Sequence, residues 1–180
     1  VEKMNGTIEV QSVPGQGSTF TVTLPFRIGR AEPSKEQETE QKQGKLLTGK
    51  RILLVEDNEI NMEIAQFYLE DGGAAVDIAW NGAQAVNRFA ASKEGCYDMI
   101  LMDVMMPVMD GLEACRRIRA LEQGRKGHVC IYAMTAQASS ESEQQCLKAG
   151  MDGHIAKPIE AEELVKMILT ATGKDISDTR

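Results

Sequence analysis

Tyr97-Asp98-Met99-Ile100-Leu101-Met102-Asp103-Val104-Met105-Met106-Pro107-Val108-Met109-Asp110-Gly111 is the stretch that decides the fold. The run from Tyr97 to Met102 is short, mostly apolar and bounded by turn formers, so it reads as a buried strand. Asp103 then stands at or just past the strand's carboxyl end, where open α/β sheets place their ligands. A carboxylate there suits a metal ion or covalent chemistry. It also suits a helix cap, but Asp110-Gly111 supplies the next helix start and leaves Asp103 for another task.

Three more runs behave alike. Arg51 to Val55 ends in Glu56-Asp57, Val129 to Met134 ends in Thr135-Ala136, and Asp152 to Ala156 ends in Lys157-Pro158. In a parallel sheet with right-handed crossovers, the carboxyl ends of all strands lie on one edge. Glu56, Asp57, Asp103, Thr135 and Lys157 are therefore expected to converge: acids, a hydroxyl and an amine around one nucleophile.

With these motifs in order, the stretch from about Lys50 to Thr172 resembles the receiver domain of two-component phosphorelays. Val-Glu-Asp-Asn, Asp-x-x-Met-Pro-x-Met-Asp-Gly, Met-Thr-Ala and Ala-Lys-Pro all match. The resemblance implies a doubly wound α/β fold, a five-stranded parallel sheet in flavodoxin-like order. It implies that Asp103 takes a phosphoryl group from a phosphohistidine donor. The transition state of that transfer spreads charge over three equatorial oxygens, so the protein supplies position and countercharge. Crowded carboxylates resist ionising together, and a hard divalent cation relieves this. By resemblance that ion is Mg²⁺, held directly by Asp57 and Asp103, through water by Glu56, and by the Met105 carbonyl. Lys157 would pair with one phosphate oxygen, and the Thr135 hydroxyl and Ala136 N–H with the others. The Lys157-Pro158 bond is expected to be cis. The family's switch couples the threonine to an aromatic residue three positions before the lysine. Here that position is His154, read either as a working switch or as a passive surface ring.

The net charge of −7 argues against nonspecific nucleic-acid binding, and no apolar run is long enough for a membrane span. A cytoplasmic location is the expectation, and an inner-membrane sensor is one reading of the parent. Hydrophobic content is 42% and aromatic content 4%, which points to an aliphatic and methionine core. Cys96, Cys115, Cys130 and Cys146 lack metal spacing and read as reduced packing thiols.

Residues 6–12 and 19–25 alternate apolar and polar around Pro14-Gly15-Gln16-Gly17-Ser18, the pattern of a β-hairpin. Residues 1–26 resemble the last two strands of a histidine-kinase ATP-binding domain, incomplete and unable to bind ATP by that family's route. The Gly-Gln-Gly joins strands and opens no helix, so it is not a phosphate loop. Residues 27–48, poor in apolar groups until Leu46, read as a flexible tether that keeps the receiver near its donor. The receiver is set at 49–172 and a tail at 173–180. Together these parts resemble the carboxyl end of a hybrid histidine kinase.

Within the receiver, a first helix over Glu59–Glu70 is read with Ile60, Ile64 and Phe67 inward. A second buries Ala85, Val86 and Phe89, a third Leu112, Cys115 and Ile118. A fourth spans about Ser139 to Ala149, and a fifth about Glu160 to Ala171 buries Leu164, Val165 and Ile168. Trp80 reads as a partly exposed packing residue. Arg116, Arg117, Arg119, Arg125 and Lys126 form a basic patch, read as a solvated face or as a docking surface.

Three other functions compete. A Mg-dependent aspartyl-phosphate hydrolase of the haloacid dehalogenase type needs a second Asp two residues after the nucleophile; Met105 stands there, so only slow self-dephosphorylation is expected. A phosphorylation-independent interaction module would not need all five site residues. A transcription factor would need more than Gly173 to Arg180 after the last helix. Onward transfer to a separate histidine phosphotransfer domain is the expected output.

Overall fold

The computed structural model describes residues 6–15, 17–25, 45–136 and 140–173. The chain divides into two units, with the boundary between Lys42 and Gln43. In the first, β1 (Thr7–Val13) and β2 (Gly17–Thr23) form an antiparallel hairpin. Ile8 faces Val22 and Val10 faces Phe20 across the pair, and each of the four is at least half exposed.

The second unit alternates strands and helices: β3 (Arg51–Val55), α1 (Glu59–Asp71), β4 (Ala75–Ala79), α2 (Gly82–Ala91), β5 (Met99–Asp103), α3 (Gly111–Glu122), β6 (Cys130–Thr135), α4 (Ser140–Ala149), β7 (Gly153–Ala156) and α5 (Ala161–Ala171). The five strands are parallel and run in the order β4-β3-β5-β6-β7, the expected doubly wound arrangement. Alternate strand residues point to opposite faces. Leu53, Val55, Ile100, Met102, Ile131 and Ala133 pack under α2, α3 and α4. Ile52, Leu54, Met99, Leu101, Met134 and Ile155 pack under α1 and α5.

The helix starts fix the phase of each crossover. Asn58, Asn81 and Asp110 cap α1, α2 and α3, each accepting the backbone N–H three residues on, at 3.1, 3.0 and 2.8 Å. The phase of α1 corrects the sequence reading. Met62, Ala65 and Leu69 are buried, whereas Ile60, Ile64 and Phe67 are 67%, 43% and 64% exposed. Both triplets have helical spacing, and their mean directions lie roughly 170° apart around the helix. Periodicity alone could not choose between them; the Asn58 cap, anchored at the sheet edge, does.

The tether expectation also meets the structure at one end. Residues 26–44 lie outside the described residues, but Leu46–Gly49 forms a turn with Leu47 fully buried in the α1/α5 layer. Leu47 N–H donates to the Gly72 carbonyl at 2.8 Å. The packed body thus begins by Lys45, ahead of the boundary at 49. The tail from 174 onward lies outside the described residues.

The basic patch is largely paired within the chain. Arg116 and Arg117 both bond Glu113, at 3.3 and 2.8 Å. Arg119 is held by Glu122, Asp152 and two carbonyls. Arg125 lies 4.6 Å over the Phe89 ring. A solvated, internally neutralised face fits this better than a docking surface. The cysteines are free, and burial pushes the Cys115 thiol up to about 11. Burial also raises Cys130 and Cys146, which suits packing and not reactivity.

Candidate functional site

Strand register brings the predicted residues together. Val55 lies beside Met102 and Asp103 beside Met134. Glu56 and Asp103 therefore leave neighbouring strands at the same level, and Thr135 stands one residue further along the third. Thr135 lies beside Ala156, so Lys157 follows one step later on β7. Its N–H donates to the Thr135 carbonyl at 2.7 Å, and its bond to Pro158 is cis.

Side chains close the arrangement. Lys157 Nζ donates to Glu56 Oε2 and to Asp103 Oδ2, both at 2.6 Å. Asp103 Oδ1 accepts the Met105 backbone N–H at 3.1 Å. Glu56 Oε1 accepts the Asn61 carboxamide at 3.1 Å and the Asn58 N–H at 3.4 Å. Glu56, Asp103 and Thr135 are buried, while Asp57 is exposed. Burial alone would lower the pKa of the Lys157 amine. The hydrogen bonds to Asp103 and Glu56, with their charges, outweigh that and hold it above the ordinary lysine value.

One carboxyl oxygen each from Glu56, Asp57 and Asp103 can be drawn from within 4.8 Å of one another. Oxygens bound directly to one Mg²⁺ lie no more than about 4.2 Å apart, given bond lengths of about 2.1 Å. The set therefore fits a small hard cation through a mixture of direct and water-bridged ligands. The donors are all oxygen, which disfavours softer metals. Among the described residues, the buried Thr135 hydroxyl has no hydrogen-bond partner. Such an orphan costs about 1–3 kcal/mol and calls for a ligand. Ala136 follows at the exposed rim.

Met105 projects into solvent, 81% exposed, with no proton to give or take. His154 lies beside Ala133 in the β6–β7 register, on the same sheet face as Thr135, two residues on from Ala133. Its Nδ1 is 3.9 Å from Glu143 Oε1 on α4. Trp80 follows β4, whose Ala79 carbonyl accepts the Glu56 N–H at 3.1 Å.

The loop after Asp103 is held tightly. Gly111 N–H donates to the Val104 carbonyl at 3.0 Å, and a side chain at 111 would overlap the Asp103 carbonyl. Val108 sits at φ 70°, in a three-residue turn closed by Met109 N–H on the Pro107 carbonyl at 2.8 Å. A β-branched residue is strained there, and at 87% exposure its side chain gains little packing in return. Val108→Gly is expected to stabilise the fold by about 0.5–1 kcal/mol, after the entropic cost of glycine. That is a rise in Tm of about 1–4 °C, readable by calorimetry.

Sequence reasoning missed Asn61 and Gly111 as parts of the site. Asn61 was legible only as an asparagine three residues after a cap, and Gly111 only as a turn former.

A profile of the response regulator receiver domain matches residues 52–169. The autoinducer 2 sensor kinase/phosphatase LuxQ of Vibrio vulnificus is 37% identical over 165 residues, 91% of this chain and 18% of that protein. The chain spans only 6% to 20% of the length of the curated relatives it matches. Among solved structures, the receiver domain of a Pseudomonas aeruginosa PAO1 sensor histidine kinase has a magnesium ion coordinated in its active site cleft. It is 40% identical, with a TM-score of 0.62 over 70% of this chain and 99% of that one. The receiver domain of a Saccharomyces cerevisiae response regulator, co-crystallised with its histidine phosphotransfer signaling protein, is 30% identical. Its TM-score is 0.64 over 68% of this chain and 88% of that one.

Proposed function

Because the chain belongs to the response regulator receiver domain family, we propose that it relays a phosphoryl group through Asp103. The observation that carries this is Lys157 bridging Asp103 and Glu56, with the buried Thr135 hydroxyl on the next strand, unpartnered among the described residues. An Asp103 carboxylate oxygen forms the new bond to phosphorus as the bond from phosphorus to the donor's imidazole nitrogen breaks. The imidazole leaves with that electron pair. Met105 N–H and Lys157 hold the carboxylate in place for attack. Lys157 then turns to a phosphate oxygen, and the Thr135 hydroxyl and Ala136 N–H take the others. Asp57, Asp103 and the Met105 carbonyl, with Glu56 through water, would hold a Mg²⁺ ion, which would supply positive charge to the transferring group. Hydrolysis is slow because Met105 stands where a hydrolase keeps its proton carrier. His154 completes the switch by following Thr135, leaving Glu143 as it turns.

The chain reads as the carboxyl-terminal part of a hybrid histidine kinase working at the cytoplasmic side of a larger sensor. In this reading residues 1–26 end an ATP-binding domain, the stretch after them tethers it to a receiver whose packed body begins by Lys45 and runs to 172, and 173–180 form a tail. The similarity to the Vibrio sensor kinase extends well beyond residues 52–169, which supports this division. So does the apolar hairpin face, since two strands alone are marginal in water. No described helix is long and apolar enough to cross a membrane.

A histidine phosphotransfer domain is the proposed recipient. Ile60, Ile64 and Phe67 give it an exposed apolar face on the helix that begins beside Glu56. Phe67→Glu is expected to slow transfer to and from a phosphotransfer domain by roughly tenfold or more, the weight of a central aromatic contact. Labelling by acetyl phosphate, which needs no docking, should be unchanged. Equal loss of both reactions would mean that this face only stabilises the fold. The site itself is tested by labelling with acetyl phosphate and Mg²⁺: one phosphoryl group per chain supports the reading, and none sinks it.

A further inference from the structure

We infer that Asn61 is a positioning residue that sets the orientation of Glu56 in the acceptor site, a role that rests on the phosphoacceptor reading above. Asn58 caps α1, and Asn61 occupies the third position of that helix. In a capping box the side chain at this third position reaches back to the N–H of the cap residue. Here the pairing is redirected. The Asn58 N–H goes to Glu56 Oε1 at 3.4 Å, and the Asn61 carboxamide donates to the same oxygen at 3.1 Å. The helix start thus holds one Glu56 oxygen through two donors and leaves Oε2 for Lys157 at 2.6 Å.

Glu56 has three rotatable bonds, and its carboxylate must stay aimed at the cluster it shares with Asp57 and Asp103. Asn61 is the side chain that holds Oε1, opposite Lys157 on Oε2, and it is itself fixed by its backbone N–H on Asn58 Oδ1 at 3.1 Å. It touches neither Asp103 nor Lys157 by any hydrogen bond among the described residues, so its effect passes through Glu56. Glu56 reaches the ion through water, and outer partners of this kind commonly carry about 10–100-fold in metal affinity, so loosening its aim is expected at the lower end of that range.

The test is a Mg²⁺ titration of the full 180-residue chain, followed by emission of Trp80, its one tryptophan, at the same sheet edge. Isothermal calorimetry serves as a second readout. Asn61→Leu removes the donor while keeping size and favouring the helix; Asn61→Gln keeps the donor. Asn61→Leu is expected to weaken Mg²⁺ binding about tenfold with no fall in Tm measured in EDTA, and Asn61→Gln to recover most of the affinity. Wild-type affinity in Asn61→Leu would overturn the role. So would equal losses in both variants, or a loss accompanied by a lower Tm in EDTA, since each marks a merely structural effect. A wild-type chain with no saturable Mg²⁺ response would overturn the receiver chemistry along with it.

Discussion

Asp103→Asn, incubated with acetyl phosphate and Mg²⁺, takes up no phosphoryl group, whereas the wild-type chain takes up one. An amide has no nucleophilic oxygen anion to form the acyl phosphate, so the loss is complete. The change is nearly isosteric. Met105 N–H can still donate to the oxygen at this position, and the loop held by Gly111 is untouched. Circular dichroism and Tm should therefore show a folded protein. Labelling of Asp103→Asn at the wild-type level would remove the assignment.

Lys157→Met is the second large effect, and it should be visible in both stability and rate. The variant keeps the apolar stem but leaves Glu56 Oε2 and Asp103 Oδ2 without the amine that sits 2.6 Å from each. Removing one partner of a fully buried ion pair costs about 3–5 kcal/mol. Lys157 retains 18% exposure, so about 2 kcal/mol is expected, or a drop in Tm of about 4–8 °C in EDTA. Mg²⁺ should restore part of this, because a second cation can stand between the same oxygens. The pH dependence has a defined sign. The amine's pKa is raised in the folded chain, so its contribution is present in full below the ordinary lysine value. It fades as pH climbs through the raised value, and wild type and variant should converge in strong alkali. Labelling should slow by about 10²–10³-fold, the weight of one preorganised charge on the transferring group. Equal Tm values and equal rates would mean that Lys157 is a bystander.

The strand ends were legible because each short apolar run stops at a chemically distinctive residue, and parallel topology forces those stops onto one edge. Glu56, Asp103, Thr135 and Lys157 follow from that alone. Other features needed coordinates. The face of α1 was misread because Ile60, Ile64 and Phe67 are as periodic as Met62, Ala65 and Leu69, and more apolar than Ala65. Their exposure is itself informative, since a large apolar face left in water beside a reactive site invites a partner. Leu47 was hidden at the end of a polar stretch, where a single buried leucine carries no period. Asn61 was invisible for another reason: what matters is which acceptor its carboxamide reaches, and that depends on the turn between Glu56 and the helix.

The basic residues of α3 make the same point from the other side. As a string, Arg116, Arg117 and Arg119 promise a field for an acidic partner. In the fold, Glu113 answers Arg116 and Arg117 together, and Glu122 and Asp152 both answer Arg119. The exposed pairs on Glu113 contribute little each, and with the more buried Arg119 pairs they cancel the patch.

The most direct measurement is the position of the modified residue. The chain is phosphorylated with acetyl phosphate and Mg²⁺, reduced with borohydride to convert the acyl phosphate to an alcohol, digested and sequenced by mass spectrometry. The predicted result is homoserine at 103 and aspartate unchanged at 57 and 110. Reduction at any acidic residue other than Asp103, or none anywhere after confirmed labelling, would contradict the central claim.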